Sequence, residues 1–258
     1  MNNLRKKLKK ITALKLGVIA LRQFKNPHNI FEKVQGLASY LSDFQKYQKL
    51  PANSAVPATT AHLYPCIYDK TSDTPLDPVY FFQDAWCAKK VFESKPKHHY
   101  DIASQAHMVG IISQFVPTTM VDIRPIPLTL PGLSFVKGDV NNLPFKDGEI
   151  TSLSSICVVE HIGLGRYGDT LDPFGTEKAL AEMIRVLAPG GNLYISVPID
   201  EANRVYFNAH RAFTRDYIIS LCSPLSLVEE KYIYGNKMEN AYDGKKGFGT
   251  GLFHFRKN

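Results

Sequence analysis

At 258 residues, 44% hydrophobic and 21% charged, the chain is long enough for one sizeable α/β domain plus an appendage and too apolar for wholesale disorder. Its formal charge of +7 is unevenly placed: residues 1–50 hold 11 Lys/Arg against 2 acidic residues, while the remainder holds 20 against 22. A nearly neutral body excludes the broad basic face of a nucleic-acid binder, so no nucleic-acid partner is expected.

The charge belongs to an N-terminal arm, residues 1–50. Leu4, Leu8, Ile11, Leu14, Val18 and Leu21 recur at spacings of three and four, one stripe of a helix. Lysines and arginines occupy much of the rest. Such a basic amphipathic helix suits a membrane surface or an acidic partner; equally, its stripe can pack on the body, and both readings stay open. A second helical register follows in Phe31, Val34, Leu37, Leu41 and Phe44. The small, proline-bearing stretch 51–61 reads as a linker, leaving residues 62–258 as the main domain.

The four cysteines, Cys66, Cys87, Cys157 and Cys222, have no zinc-site spacing, and no metal is expected. They read as free thiols in a reducing compartment. The six-residue apolar run Leu16–Leu21 is too short for a secretory signal and too short to span a bilayer. The expected location is the cytoplasm, with the arm able to reach the inner face of the membrane.

Within the body, Asp77-Pro78 marks a helix start, an N-cap followed by proline in the first turn. The helix covers Val79–Glu93; its many rings, Trp86 included, suit core packing better than ligand contact, which remains the other use for Asp84 and Trp86. A first strand over residues 98–102 carries Asp101 and runs into the turn Ala103-Ser104-Gln105-Ala106, then into the helix Met108–Phe115. A second strand ends at Asp122, and a third delivers Gly138-Asp139. Asp122 lies 21 positions after Asp101, where a carboxylate reads ribose hydroxyls in dinucleotide-type folds. The alternating run Ile150–Val159 ends on Glu160-His161. Carboxyl ends of parallel strands form the ligand crevice of open α/β sheets, so these acids and the Glu-His pair point to one site.

The polar loop after Ile162 offers Arg166, Tyr167 and Asp169 as substrate contacts, with Arg166 suited to fork a phosphate or carboxylate. His161 is the first candidate general base, oriented by Glu160. The amphipathic helix Thr176–Leu187 stops at Ala188-Pro189-Gly190-Gly191 before the strand Leu193–Val197. The following loop, residues 198–215, supplies His210 as a second candidate base and Arg211 as a substrate clamp. Thr214 reads as the N-cap of a helix through Leu221. Strands Leu225–Tyr234 and Phe248–Phe255 complete the sheet as an antiparallel pair, joined by a glycine- and lysine-bearing loop.

The pattern GD-x-x-x-LPF-x-DG…VVEH resembles the third and fourth motifs of class I S-adenosylmethionine-dependent methyltransferases. The strings HHYDIASQ, VDIRPI, SSICVVEHIGLGRYGD, APGGNLYISVP, FNAHRAF and GFGTGLFHF resemble a methyltransferase-like family known as domain of unknown function 268, over most of residues 62–255. The resemblance implies a Rossmann-like class I methyltransferase sheet of seven strands, mostly parallel, with the last pair antiparallel. It implies S-adenosyl-L-methionine as cofactor, held by Asp101, Ala103, Ser104, Gln105, Asp122, Ile123, Gly138, Asp139, Val140 and Ser155. One departure stands out: Ala103 and Gln105 occupy places where the family usually has glycine, which permits close backbone approach.

The expected activity is methyl transfer to a small-molecule or glycan acceptor. Ser154-Ser155-Ile156-Cys157 replaces the Asn/Asp-Pro-Pro-Tyr/Phe string of enzymes that methylate planar amino groups, so oxygen is the expected atom. A sugar or sugar-phosphate of surface polysaccharide assembly fits the polar loops. The alternative is a non-catalytic methyltransferase-like binding module, and a dehydrogenase would need the GxGxxG turn that is missing.

Overall fold

The computed structural model describes residues 30–51 and 54–258, so the basic stripe between Leu4 and Leu21 lies outside the described residues. The chain divides into two compact units between Pro75 and Leu76.

In the first unit the second helical register forms α1 (Ile30–Tyr47), none of whose side chains is buried. Gly36 lets residue 67 approach: a Cβ there would stand 3.0 Å from the Ile67 carbonyl oxygen. Lys70 reaches back to Asp43 on the helix at 3.4 Å and holds its carboxyl below the usual range.

The second unit opens with α2 (Pro78–Ser94). Asp77 caps it as the sequence predicts, accepting from the Val79 and Tyr80 amides. There follow β1 (His99–Ile102), α3 (Ala106–Ile112), β2 (Thr118–Asp122), β3 (Leu133–Lys137), β4 (Ile150–Ile156), α4 (Gly175–Val186) and β5 (Leu187–Ile199). The chain then forms β6 (Arg204–Tyr206), β7 (His210–Ala212), α5 (Arg215–Leu221), β8 (Ser226–Tyr234), β9 (Lys237–Glu239) and β10 (Gly249–Arg256). The main sheet has eight strands in the order β3-β2-β1-β4-β5-β10-β8-β9. The first five are parallel, and β10 inserts antiparallel between β5 and β8. The strand beyond the expected seven is β9, in the 235–247 loop.

Parallel strands need both faces covered, and two apolar clusters do so. On one face α2 and α3 bring Trp86, Cys87, Val91, Met108 and Ile112 against the sheet. Trp86 is 4% exposed, meets Tyr194 edge-on at 6.2 Å, and donates its indole N–H to Glu229 at 2.8 Å. Core packing is therefore the use of that ring. On the other face α4 contributes Ala179, Leu180, Met183 and Val186.

The Leu143-Pro144-Phe145 string and the turn after it are tied to α4. Arg185 donates to the Phe145 carbonyl at 3.0 Å and to Asp147 at 2.6 Å, while Glu182 accepts from the Leu143 amide at 2.8 Å. The Pro189-Gly190-Gly191 stop proves to be the irregular start of β5. Gly190 has φ +77°, and a Cβ on Gly191 would lie 2.8 Å from the Ala188 carbonyl oxygen. The loop read over residues 198–215 instead carries the hairpin β6–β7.

Candidate active site

The carboxyl ends of β1, β2, β3 and β4 surround a cavity of about 980 Å³. Asp101, fully buried in β1, accepts from the Ser104 amide at 3.0 Å and from the Ser154 hydroxyl. The Ser104 hydroxyl in turn accepts from the Ile156 amide at 2.9 Å. These bonds lock the turn at residues 103–105, all three of which line the cavity. Asp101 itself does not line it. Its predicted cofactor contact is therefore corrected to support of the turn, with burial pushing its carboxyl up to about 6.

Ala103 takes φ +54°. The backbone thus keeps the left-handed conformation that glycine would adopt without strain, although the residue is alanine. Cys157, at the end of β4, takes φ +52° and also lines the cavity. Two strained non-glycine residues facing one cavity are the pattern of a functional site. Ala103→Gly should relieve about 1–2 kcal/mol of left-handed strain and lose about 0.4–1 kcal/mol to the freer unfolded chain. The net gain of up to about 1.6 kcal/mol should raise Tm by up to a few degrees, and a lowered Tm would refute the strain.

Asp122 ends β2 at 7% exposure and lines the cavity. One carboxylate oxygen accepts from the Arg124 amide at 2.8 Å, and the other is 3.5 Å from the Arg124 guanidinium. Ile123, Gly138, Asp139 and Val140 line the same cavity. Ser155 does not: it is fully buried, its hydroxyl donating to the Ile102 carbonyl at 3.3 Å.

His161 also lines the cavity, in a 3-10 turn spanning Val159–His161. Its Nδ1 is 2.7 Å from the Ala209 carbonyl oxygen. A carbonyl only accepts, so Nδ1 carries the proton and Nε2 the lone pair. Burial, with the Arg166 guanidinium nearby, lowers its pKa to about 4. The orienting partner is thus the Ala209 backbone, where the sequence reading assigns Glu160. Glu160 is 1% exposed, 3.7 Å from His161 Nε2, and pushed up by burial to about 8. At neutral pH the carboxyl holds a proton and the imidazole does not.

His210 lies outside the cavity lining, its ring 5.1 Å from Tyr206 and 5.8 Å from Phe248. Arg211 is corrected too. Only 6% exposed, it donates to the backbone carbonyls of Ile162, Asp172 and Pro173. It braces the loop over residues 163–172 through these carbonyls, which leaves it unavailable as the predicted substrate clamp.

That loop is held from within by Asp169, which accepts from the Gly163, Gly165 and Tyr167 amides at 2.7, 3.3 and 3.2 Å. Gly163 and Gly165 have φ +83° and +69°, which makes the glycine punctuation a conformational requirement. Tyr167 lines the cavity and Arg166 stands behind it, donating to the Ala209 carbonyl at 2.8 Å. Tyr80, Arg124, Lys137 and Cys157 also line the cavity. The sequence reading took Cys157 as a free thiol and as part of the string that replaces the proline-rich motif, and gave Tyr80, Arg124 and Lys137 no role. For Tyr80 a signal existed, since the first turn of a capped helix just before the sheet lies near the strand ends; for the others there was none.

The strand order and cavity place this chain among proteins with the class I methyltransferase fold, and comparison with solved structures agrees. A Burkholderia thailandensis 1,6-didemethyltoxoflavin-N1-methyltransferase, solved with 1,6-didemethyltoxoflavin and S-adenosylhomocysteine, is 15% identical with a TM-score of 0.52, covering 90% of this chain and 91% of that one. The [4+2]-cyclase SpnF is 9% identical with a TM-score of 0.52, covering 67% and 81%. A putative sarcosine dimethylglycine methyltransferase from Galdieria sulphuraria is 13% identical with a TM-score of 0.51, covering 69% and 86%. Residues 145–235 match the family described as "Caenorhabditis protein of unknown function, DUF268". No curated protein matches the chain. At such identities the likeness fixes the fold and leaves the reaction open.

Proposed function

We propose that this protein is an S-adenosyl-L-methionine-dependent methyltransferase acting on an oxygen of a small polar acceptor, such as a sugar or sugar-phosphate of surface polysaccharide assembly. The observation that carries the reading is the pairing, across one cavity, of the Asp122 carboxylate with the His161 Nε2 lone pair. The residues fit the cofactor. Asp122 supplies acceptors for a ribose diol, Asp139 and Val140 offer a polar edge and an apolar wall for a base, and the strained turn at Ala103 brings backbone close. When bound, the cofactor supplies an electrophilic methyl group. The protein's part is to orient an acceptor hydroxyl near His161, whose Nε2 takes the hydroxyl proton as the methyl arrives. Cys157 stands where amino-methylating enzymes carry their proline-rich string, which favours oxygen. The polar loop over residues 163–172 and the basic arm favour a glycan-related acceptor handled in the cytoplasm at the inner membrane face.

A non-catalytic binding module is the second reading, and the alanine at position 103 favours it. Calorimetric titration with S-adenosylhomocysteine separates the two. Micromolar binding that weakens at least tenfold in Asp122→Ala, about 1.4 kcal/mol, supports the enzyme; no binding at millimolar ligand rejects it.

A further inference from the structure

Tyr167, which lines the cavity beside His161, carries two guanidinium groups on its ring. The Tyr167 ring has the Arg124 guanidinium 4.5 Å from its centroid and the Arg166 guanidinium at 5.0 Å. The His161 ring meets it edge-on at 5.6 Å. Arg166 is exposed, gives one nitrogen to the Ala209 carbonyl, and has no carboxylate within ion-pair distance among the described residues. Arg124 has only Asp122 at 3.5 Å, with its side chain 56% exposed. Since Asp122 is the ribose-reading carboxylate of the proposed function, a bound ribose competes for that oxygen and leaves Arg124 freer.

The carboxylate oxygens on this side are already engaged. Asp169 spends both oxygens on three backbone amides, and Asp172 is committed to Lys178 and the Phe174 amide. Glu160 keeps its proton at neutral pH. Asp139 lines the cavity after β3, one carboxylate oxygen accepting from the Asn141 amide at 2.9 Å. What remains is a pair of planar guanidinium forks steadied on one aromatic ring, within reach of the base. Guanidinium on an aromatic face is pre-organised and keeps its in-plane N–H donors for a ligand.

We infer that Arg124 and Arg166, braced on Tyr167, form an anion-reading subsite for a phosphate or carboxylate carried by the acceptor close to the hydroxyl that is methylated. This rests on the proposed function for its location and deepens it in chemistry. The anion fixes the acceptor by bidentate hydrogen bonds, and its negative charge stabilises the imidazolium formed when His161 takes the proton.

The test is calorimetric titration of the full chain, with and without saturating S-adenosylhomocysteine, using glucose, glucose 6-phosphate and glucuronate as probes. Glucose 6-phosphate or glucuronate should bind at least tenfold tighter than glucose, and whichever binds tighter identifies the anion. Arg166→Gln should abolish that preference and Arg166→Lys should keep part of it, since lysine offers a point charge in place of a fork. Equal binding of charged and neutral probes overturns the inference, as does a preference that Arg166→Gln and Arg124→Gln both leave intact. S-adenosylhomocysteine affinity retained in Arg166→Gln shows the cavity is folded. Failure of the wild-type protein to bind S-adenosylhomocysteine rejects the methyltransferase reading alone, and the probe titrations without it still decide the subsite.

Discussion

Replacing His161 by asparagine is expected to lower kcat for methyl transfer by about 10²–10⁴-fold, the usual worth of a positioned general base, with S-adenosylhomocysteine affinity changed less than twofold. The asparagine amide can still donate to the Ala209 carbonyl, which accepts from Nδ1 at 2.7 Å in the wild type, so the local backbone is kept while the Nε2 lone pair is lost. The pH profile gives a second readout. With its pKa lowered to about 4 by burial, the imidazole stays neutral well below its ordinary value of 6.5. The acid limb of kcat in the wild-type protein should therefore fall nearer pH 4 than pH 6.5. Full activity in His161→Asn would remove the base from the proposal, and an acid limb at 6.5 would mean the ring is solvated during turnover.

Glu160→Gln should abolish most of the loss of stability that the wild-type protein shows between pH 5 and pH 9. Burial raises the folded-state pKa of Glu160 to about 8 from its ordinary 4.5. A raised pKa means the folded state holds a proton that the unfolded state releases, so the stabilisation is complete below about pH 4.5 and is lost as pH rises through about 8. At about 1.4 kcal/mol per pKa unit, the difference amounts to several kcal/mol for a side chain 1% exposed. The neutral amide has the same shape and nothing to ionise. Asp84 and Asp101, each raised to about 6, act in the same direction in both proteins and cancel in the comparison. Urea midpoints measured at pH 5 and pH 9 read the effect. Parallel losses in the two proteins would show that Glu160 ionises freely in the fold.

The fold was legible because its elements are locally determined. Asp77 caps α2 and Thr214 caps α5 as their residue types and positions predict. Each strand end that delivers an acid is visible as a change of polarity. Asp122 and Asp139 fall at the cavity for that reason. The boundary of β5 was less legible, since its first residues form an irregular stretch that only pairing with β4 and β10 holds extended.

Residue types could not separate side chains that face the cavity from those that support it. Asp101 and Asp122 are both strand-end acids, yet the first is turned under the 103–105 turn and the second opens on the cavity. Arg166 and Arg211 are both cations in polar loops, but Arg211 is spent on three backbone carbonyls. The sequence by itself determined the sheet, its helical covering and the strand ends that meet, because hydrophobic period and capping act over a few residues. Tertiary structure decided which of Glu160 and His161 holds the proton and that Ala209, 48 residues further on, orients the base. It also brought Arg124 and Arg166 to one tyrosine. Burial and long-range hydrogen bonding set these properties, and neither exists until the strands have assembled.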